Sequence, residues 1–185
     1  MEPDTVVGAN GPARLHDVFE GRRMLLVYHF MWKAGAPHDK QCPGCTHTQV
    51  AMSDAVRAYL AARDVTYAVF SAGPWAELAA YRDFMGWTMP WYSTADAGAV
   101  LKTTDGGDLR CYLRQGDDVF QTYETTQRGV EAMLPTLQLL DLMVYGRQES
   151  WESSPAGWPQ QDSAGSWWWR DGRPVAQWTR TDETV

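Results

Sequence analysis

The sequence predicts an α/β domain of three layers, a mixed central sheet with helices on both faces. Three observations predict it. Apolar and β-branched runs of strand length, Met24–Phe30 and Val65–Ser71, alternate with segments of helical spacing, the pattern of a parallel sheet. Two later runs, 109–113 and 119–123, flank Gln115-Gly116-Asp117-Asp118, a hairpin signal that adds antiparallel strands. The loop after the first run ends in Cys42-Pro43-Gly44-Cys45, and a helical pattern begins there at once.

The elements follow in order. Residues 1–12 read as a loose N-terminal arm. Residues 13–20 place Leu15, Val18 and Phe19 on one face, and Gly21 stops this short helix. Met24–Phe30 is the first buried strand, and 31–41 is a loop containing Gly35 and Pro37. Residues 46–62 read as one helix, with Met52, Val56, Tyr59 and Leu60 continuing a stripe begun by Cys45. Val65–Ser71 is the second strand. Gly73-Pro74 opens a helix lined by Leu78, Tyr81 and Met85 and ended by Gly86. Residues 87–93 read as a third strand, which Pro90 assigns to an edge because proline cannot donate to a ladder. Residues 95–101 are a short helix or a loop, 105–108 a turn, and the hairpin follows. Residues 125–143 are helical, with Pro135 breaking the helix or opening its second half.

From Ser150 the composition changes to Ser, Gly, Pro and Trp. Six of the ten tryptophans lie in 150–185. Disordered segments are poor in aromatics, so the expectation is an extension whose indoles pack on the domain surface; a dimer contact or a lid is the alternative. The organisation read from the sequence is therefore an arm over 1–12, a domain over 13–149 and a Trp-rich extension over 150–185.

The cysteine motif carries the chemistry. Proline is favoured at the first position of a helix, so Pro43 makes Cys42 the N-cap. Its sulfur then faces unpaired first-turn amides and the positive end of the helix dipole, and both favour thiolate. Cys45 falls one turn in, on the core side. A presented sulfur above a tucked one suits a nucleophile and a resolving thiol. A structural zinc site would need four ligands; His38 and His47 flank the motif, but a second cysteine pair is absent. No metal or cofactor is expected, since the sequence holds no Gly-rich phosphate loop, Ser-His-Asp set or HExxH. His29, at the end of the first strand, is a candidate for proton transfer near the thiols or a hydrogen-bonded structural histidine. Trp32 either packs over the active sulfur or fills the underside of the loop. Cys111, mid-strand, reads as a small buried hydrophobe.

Composition excludes several functions. A net charge of -7 argues against nucleic-acid or anionic-membrane partners, which demand basic patches. The first residues do not read as a signal peptide, and no apolar stretch has the length of a membrane span. Three cysteines, two of them vicinal, fit a reducing cytoplasm better than a disulfide framework.

The chain resembles a bacterial family of unknown function described as predicted dithiol–disulfide oxidoreductases of thioredoxin-like fold. The matching residues are 15–23, Tyr28-His29-Phe30-Met31-Trp32, Cys42-Pro43-Gly44-Cys45, Gly86-Trp87-Thr88-Met89-Pro90-Trp91, Leu113-Arg114-Gln115-Gly116-Asp117 and Tyr145-Gly146-Arg147-Gln148-Glu149. The resemblance implies the thioredoxin-like fold and a redox role, with no established substrate. With the cytoplasmic location expected from the cysteine usage, the reading is an enzyme, with a homodimer as a further expectation. Its partners would be a protein or small-molecule disulfide and a cellular thiol reductant. Pro43-Gly44-Cys45-Thr46 is also similar to the loop of one peroxiredoxin branch. That match implies a thiol peroxidase with Cys45 as the peroxide-reactive residue, Cys42 in place of a threonine, and Arg110 steadying the thiolate. Pro37 lies one residue early for that match. Residues 105–110 contain no proline, so the thioredoxin cis-proline clamp is not matched. A third expectation is a non-catalytic binding module whose Trp-rich tail recruits a partner.

Overall fold

The computed structural model describes residues 4–102, 107–158, 160 and 168–178. Among them seven strands form one sheet: β1 (Thr5–Gly8), β2 (Gly11–Arg14), β3 (Met24–Phe30), β4 (Val65–Ser71), β5 (Trp91–Ser93), β6 (Asp108–Gln115) and β7 (Asp118–Thr125). Their order across the sheet is β2-β1-β5-β4-β3-β6-β7. β3 pairs in parallel with β4, and β4 with β5; β6 and β7 pair antiparallel on the other side of β3. The helices are α1 (Leu15–Val18), α2 (Pro43–Val50), α3 (Asp54–Ala61), α4 (Trp75–Phe84) and α5 (Pro135–Leu140), with 3-10 turns at His38–Lys40, Gln127–Met133 and Val175–Gln177. A small separate hairpin joins β8 (Trp169–Arg170) to β9 (Arg173–Pro174). A βαβ unit with an antiparallel hairpin on its far side and a closing helix is the thioredoxin-like arrangement. No helix among the described residues is long and apolar enough to cross a membrane.

Strand side chains alternate between faces, so each central strand feeds two cores. On one face Tyr28, Phe30, Tyr67, Val69, Trp91 and Leu109 pack with Cys45, Leu78, Tyr81 and Met85 under α2 and α4. On the other, Leu25, Val27, Ala68, Phe70 and Tyr112 pack with Val6, Leu15, Val18, Phe19, Ala97 and Leu101. The first core is strongly aromatic. Phe30 meets Tyr81 at 5.9 Å and Trp87 stacks on Trp91 at 5.7 Å; such pairs add about 0.5–1.5 kcal/mol each beyond area burial.

Three expectations need correction. The arm expected over 1–12 instead supplies β1 and the first half of β2, with Val6 fully buried. The strand expected at an edge is interior. It begins after Pro90, so the missing N–H lies outside it, and β1 pairs with its outer side through Val7 and Ser93. Both errors share a cause: a four-residue strand carries too little pattern to read alone, and it forms because β5 offers an open edge. The helix expected over 46–62 is two. α2 ends at its cap residue Ala51, and Ser53 starts α3 by accepting a hydrogen bond from the Val56 amide at 3.4 Å. The break redirects the stripe: Cys45 and Met52 stay buried, while Tyr59 is 79% exposed.

Other boundaries are closer to the reading. Pro135 opens α5 at its first position, after the 3-10 stretch. The β6–β7 loop turns at Gly116, whose φ of +61° suits glycine. Of the turn expected over 105–108, the first two residues lie outside the described residues, and Asp108 already begins β6.

Candidate active site

Cys42 caps α2. Its backbone is extended beyond the helical range (φ -59°, ψ 116°), and its sulfur accepts the Cys45 amide at 3.3 Å, with Pro43 at the helix start. Cys42 is partly exposed and Cys45 is 2% exposed; neither is in a disulfide. Hydrogen bonding from the Cys45 thiol, then from the Cys45 and Gly44 amides, and the charge of Lys33 together pull the Cys42 thiol down to about 7, against some opposing desolvation. Burial pushes the Cys45 thiol well up, and its neighbour's sulfur adds to this. Cys45 accepts the Met31 amide at 3.4 Å, and the Tyr28 hydroxyl also bonds it. Tyr28 itself is held far above the ordinary phenol range by burial. Its role was missed in the sequence, although it lies on the same strand face as Phe30, the face on which Cys45 packs.

A donor chain fixes the cap from below. The Thr46 hydroxyl donates to the Cys42 carbonyl at 2.7 Å, so the Tyr81 hydroxyl donates to Thr46 at 2.8 Å. Tyr81 in turn accepts from Gln177 at 2.8 Å, and Gln177 also donates to the His38 carbonyl. Gln41, fully buried, ties the loop before the motif by bonding Lys33 and Ala36. Neither glutamine carried a sequence signal, because a buried amide is recognised only by the carbonyls it satisfies.

The thiols open on a cleft of about 440 Å³ at the carboxyl end of β3. Its lining includes Tyr28, Met31, Cys42, Pro43 and Gly44. Arg128, Val130, Glu131, Leu134 and Trp168 also line it. Gly44 is required here: a Cβ on it would lie 2.5 Å from Cζ3 of Trp168.

Three of the candidate supporting residues lie elsewhere. His29 is fully buried on the opposite sheet face, edge-on to Phe70 at 5.5 Å, so it cannot pass protons to the thiols. Arg110 pairs in register with Val27 and shares that far face. Its guanidinium bonds Asp108, at 3.0 Å, and the Val100 carbonyl, and lies 3.1 Å from Glu124. It therefore does not steady either thiolate. Trp32 fills the underside of its loop, against Gly73 and Tyr81, with its indole N–H donating to Glu77 at 2.7 Å. Cys111 is half-buried in β6 and does not line the cleft.

Fold and site together define a thioredoxin-like α/β protein with vicinal thiols at a helix N-terminus. The chain belongs to a family of bacterial proteins of unknown function (DUF899), whose model matches residues 3–173. No curated protein sequence matches it. Among solved structures it is similar to the bacterioferritin comigratory protein of Xanthomonas campestris, at 12% identity and a TM-score of 0.45, covering 73% of this chain and 89% of that one. It is also similar to the peroxidoxin BcpB of Mycobacterium tuberculosis, at 18% identity and a TM-score of 0.44, covering 74% and 92%. A putative protein disulfide isomerase of Bacteroides thetaiotaomicron is similar at 17% identity and a TM-score of 0.44, covering 77% and 87%.

Proposed function

We propose that this protein is a thiol–disulfide oxidoreductase in which Cys42 attacks and Cys45 resolves. The observation that carries the reading is the asymmetry of the pair: Cys42 partly exposed at a helix N-cap with its thiol lowered to about 7, Cys45 buried with its thiol raised. The Cys42 thiolate attacks one sulfur of a substrate disulfide. A mixed disulfide forms, and the displaced substrate thiolate takes a proton from solvent. Cys45 then loses its proton and attacks the Cys42 sulfur, leaving a Cys42–Cys45 disulfide and a second substrate thiol. A cellular thiol reductant restores the dithiol.

The peroxidase reading assigns the reactive thiolate to Cys45. The Met31 amide and the Tyr28 hydroxyl favour a thiolate there, while burial and the neighbouring sulfur oppose it more strongly. Arg110 lies on the wrong sheet face to help. One experiment separates the two. Reduced protein is offered a protein disulfide and, separately, hydrogen peroxide, and thiol loss is followed in wild type and in both single Cys→Ser variants. Cys45→Ser should trap the disulfide substrate as a mixed disulfide, and Cys42→Ser should trap none. Fast oxidation by peroxide alone, with a sulfenic acid on Cys45 in Cys42→Ser, would overturn the assignment.

A further inference from the structure

The wall that the C-terminal segment contributes to the cleft is held in place, not loosely laid on it. Trp168 precedes β8, and the hairpin it begins is anchored at several points. Lys40 donates to the Gly172 carbonyl at 3.0 Å, Gln177 is buried on His38 and Tyr81, and Ala176 packs on the aromatic core. The indole also meets His47 edge-on at 6.2 Å. Its position is therefore set before any substrate arrives, which lowers the ordering cost of binding.

Met31, Val130 and Leu134 line the same cleft. An indole and a thioether together with aliphatic side chains form an adaptable apolar surface. The charges at the mouth are mutually neutralised. Arg128 lies 3.1 Å from Glu131 and 3.0 Å from Glu149, and Arg147 bonds Glu131 at 2.5 Å. Among the described residues that line the cleft, the one cation, Arg128, is therefore already paired with carboxylates of this chain.

We propose that Trp168, Met31, Val130 and Leu134 form a slot for an apolar side chain beside the substrate cysteine, so that the substrate is a peptide or protein disulfide flanked by apolar or aromatic residues. The substrate class rests on Cys42 being the attacking thiol; the slot itself does not.

Binding can be measured without chemistry. In a Cys42→Ser, Cys45→Ser double variant, calorimetry compares a blocked Phe-Cys-Phe peptide and a blocked Asp-Cys-Asp peptide, each with its cysteine S-methylated. Burying one aromatic side chain predicts roughly tenfold tighter binding of the phenylalanine peptide. Adding Trp168→Ala should erase the preference, and Trp168→Phe should restore most of it. Melting curves and circular dichroism check that both variants are folded. Equal affinity for the two peptides, or a preference that survives Trp168→Ala, overturns the slot. Turnover of a peptide disulfide by the wild type is scored separately. A preference without turnover supports the slot and refutes the redox reading, whereas turnover without a preference refutes the slot alone.

Discussion

The titration of Cys42 can be worked through to a rate. Its thiol lies near 7, against an ordinary value of 9. At pH 7 about half of it is then thiolate, compared with about one per cent for an unperturbed thiol, a gain of roughly fiftyfold. Lower basicity costs intrinsic nucleophilicity, and a Brønsted slope of about 0.4–0.5 over two pH units removes roughly six- to tenfold. Cys42 should therefore alkylate about five- to eightfold faster than free cysteine at pH 7. Cys45, buried and held protonated, should be slower than both. The assay is brief exposure of the reduced protein to limiting iodoacetamide across the pH range, followed by peptide mapping. Labelling of Cys42 should rise with a midpoint near 7. The largest cause of the lowered value is the hydrogen bond from the Cys45 thiol, so Cys45→Ala should move that midpoint upward. Labelling of Cys45 first, or a Cys42 midpoint at the ordinary thiol value, would refute the reasoning.

Four further outcomes are expected. Oxidation to a Cys42–Cys45 disulfide should dim Trp168, which lines the same cleft; Trp168→Phe should lose most of the fluorescence change and Trp32→Phe should keep it, and the reverse pattern would contradict the placement. Gln177→Ala removes the hydrogen bonds to His38 and Tyr81, at about 1–3 kcal/mol for each buried group left unpaired. Trypsin should then cut after Arg170 several times faster than in the wild type, and an unchanged rate would show that Gln177 does not hold the hairpin. Burial and the nearby Arg110 charge lower His29 to about 3, below an unfolded value of about 6.5, so this residue's contribution to stability is intact above 6.5 and drains as pH falls toward 3, by about 1.4 kcal/mol per unit. His29→Leu should flatten the loss of urea stability between pH 6.5 and 4, and an unaltered slope would count against it. Gly73→Ala would drive a Cβ into the Trp32 ring and Leu78, an overpacking cost of about 1–3 kcal/mol that a lowered Tm should reveal.

Much of the scaffold was legible because its signals are local. The runs Met24–Phe30 and Val65–Ser71 are apolar enough to need burial on both faces, and they are β3 and β4. Proline and cysteine at a helix start determine a cap by backbone geometry alone, so the contrast between Cys42 and Cys45 could be drawn before any tertiary contact was known. Other features depend on what the rest of the chain places alongside. Neighbouring strand residues such as Tyr28 and His29 must face opposite ways, but only the packing of α2 on one side decided that Tyr28 meets the thiols and His29 does not. The same packing turned Arg110 away from them. The N-terminal hairpin exists because β5 left an edge open, and Trp168 reaches Gly44 across more than a hundred residues because Gln177 and Lys40 fasten its hairpin to the far side of the motif loop. Such contacts carry no periodicity and no spacing. They arise from complementary surfaces that meet only after the sheet has formed, so the chemistry of the motif could be read in advance while the shape of its cleft could not.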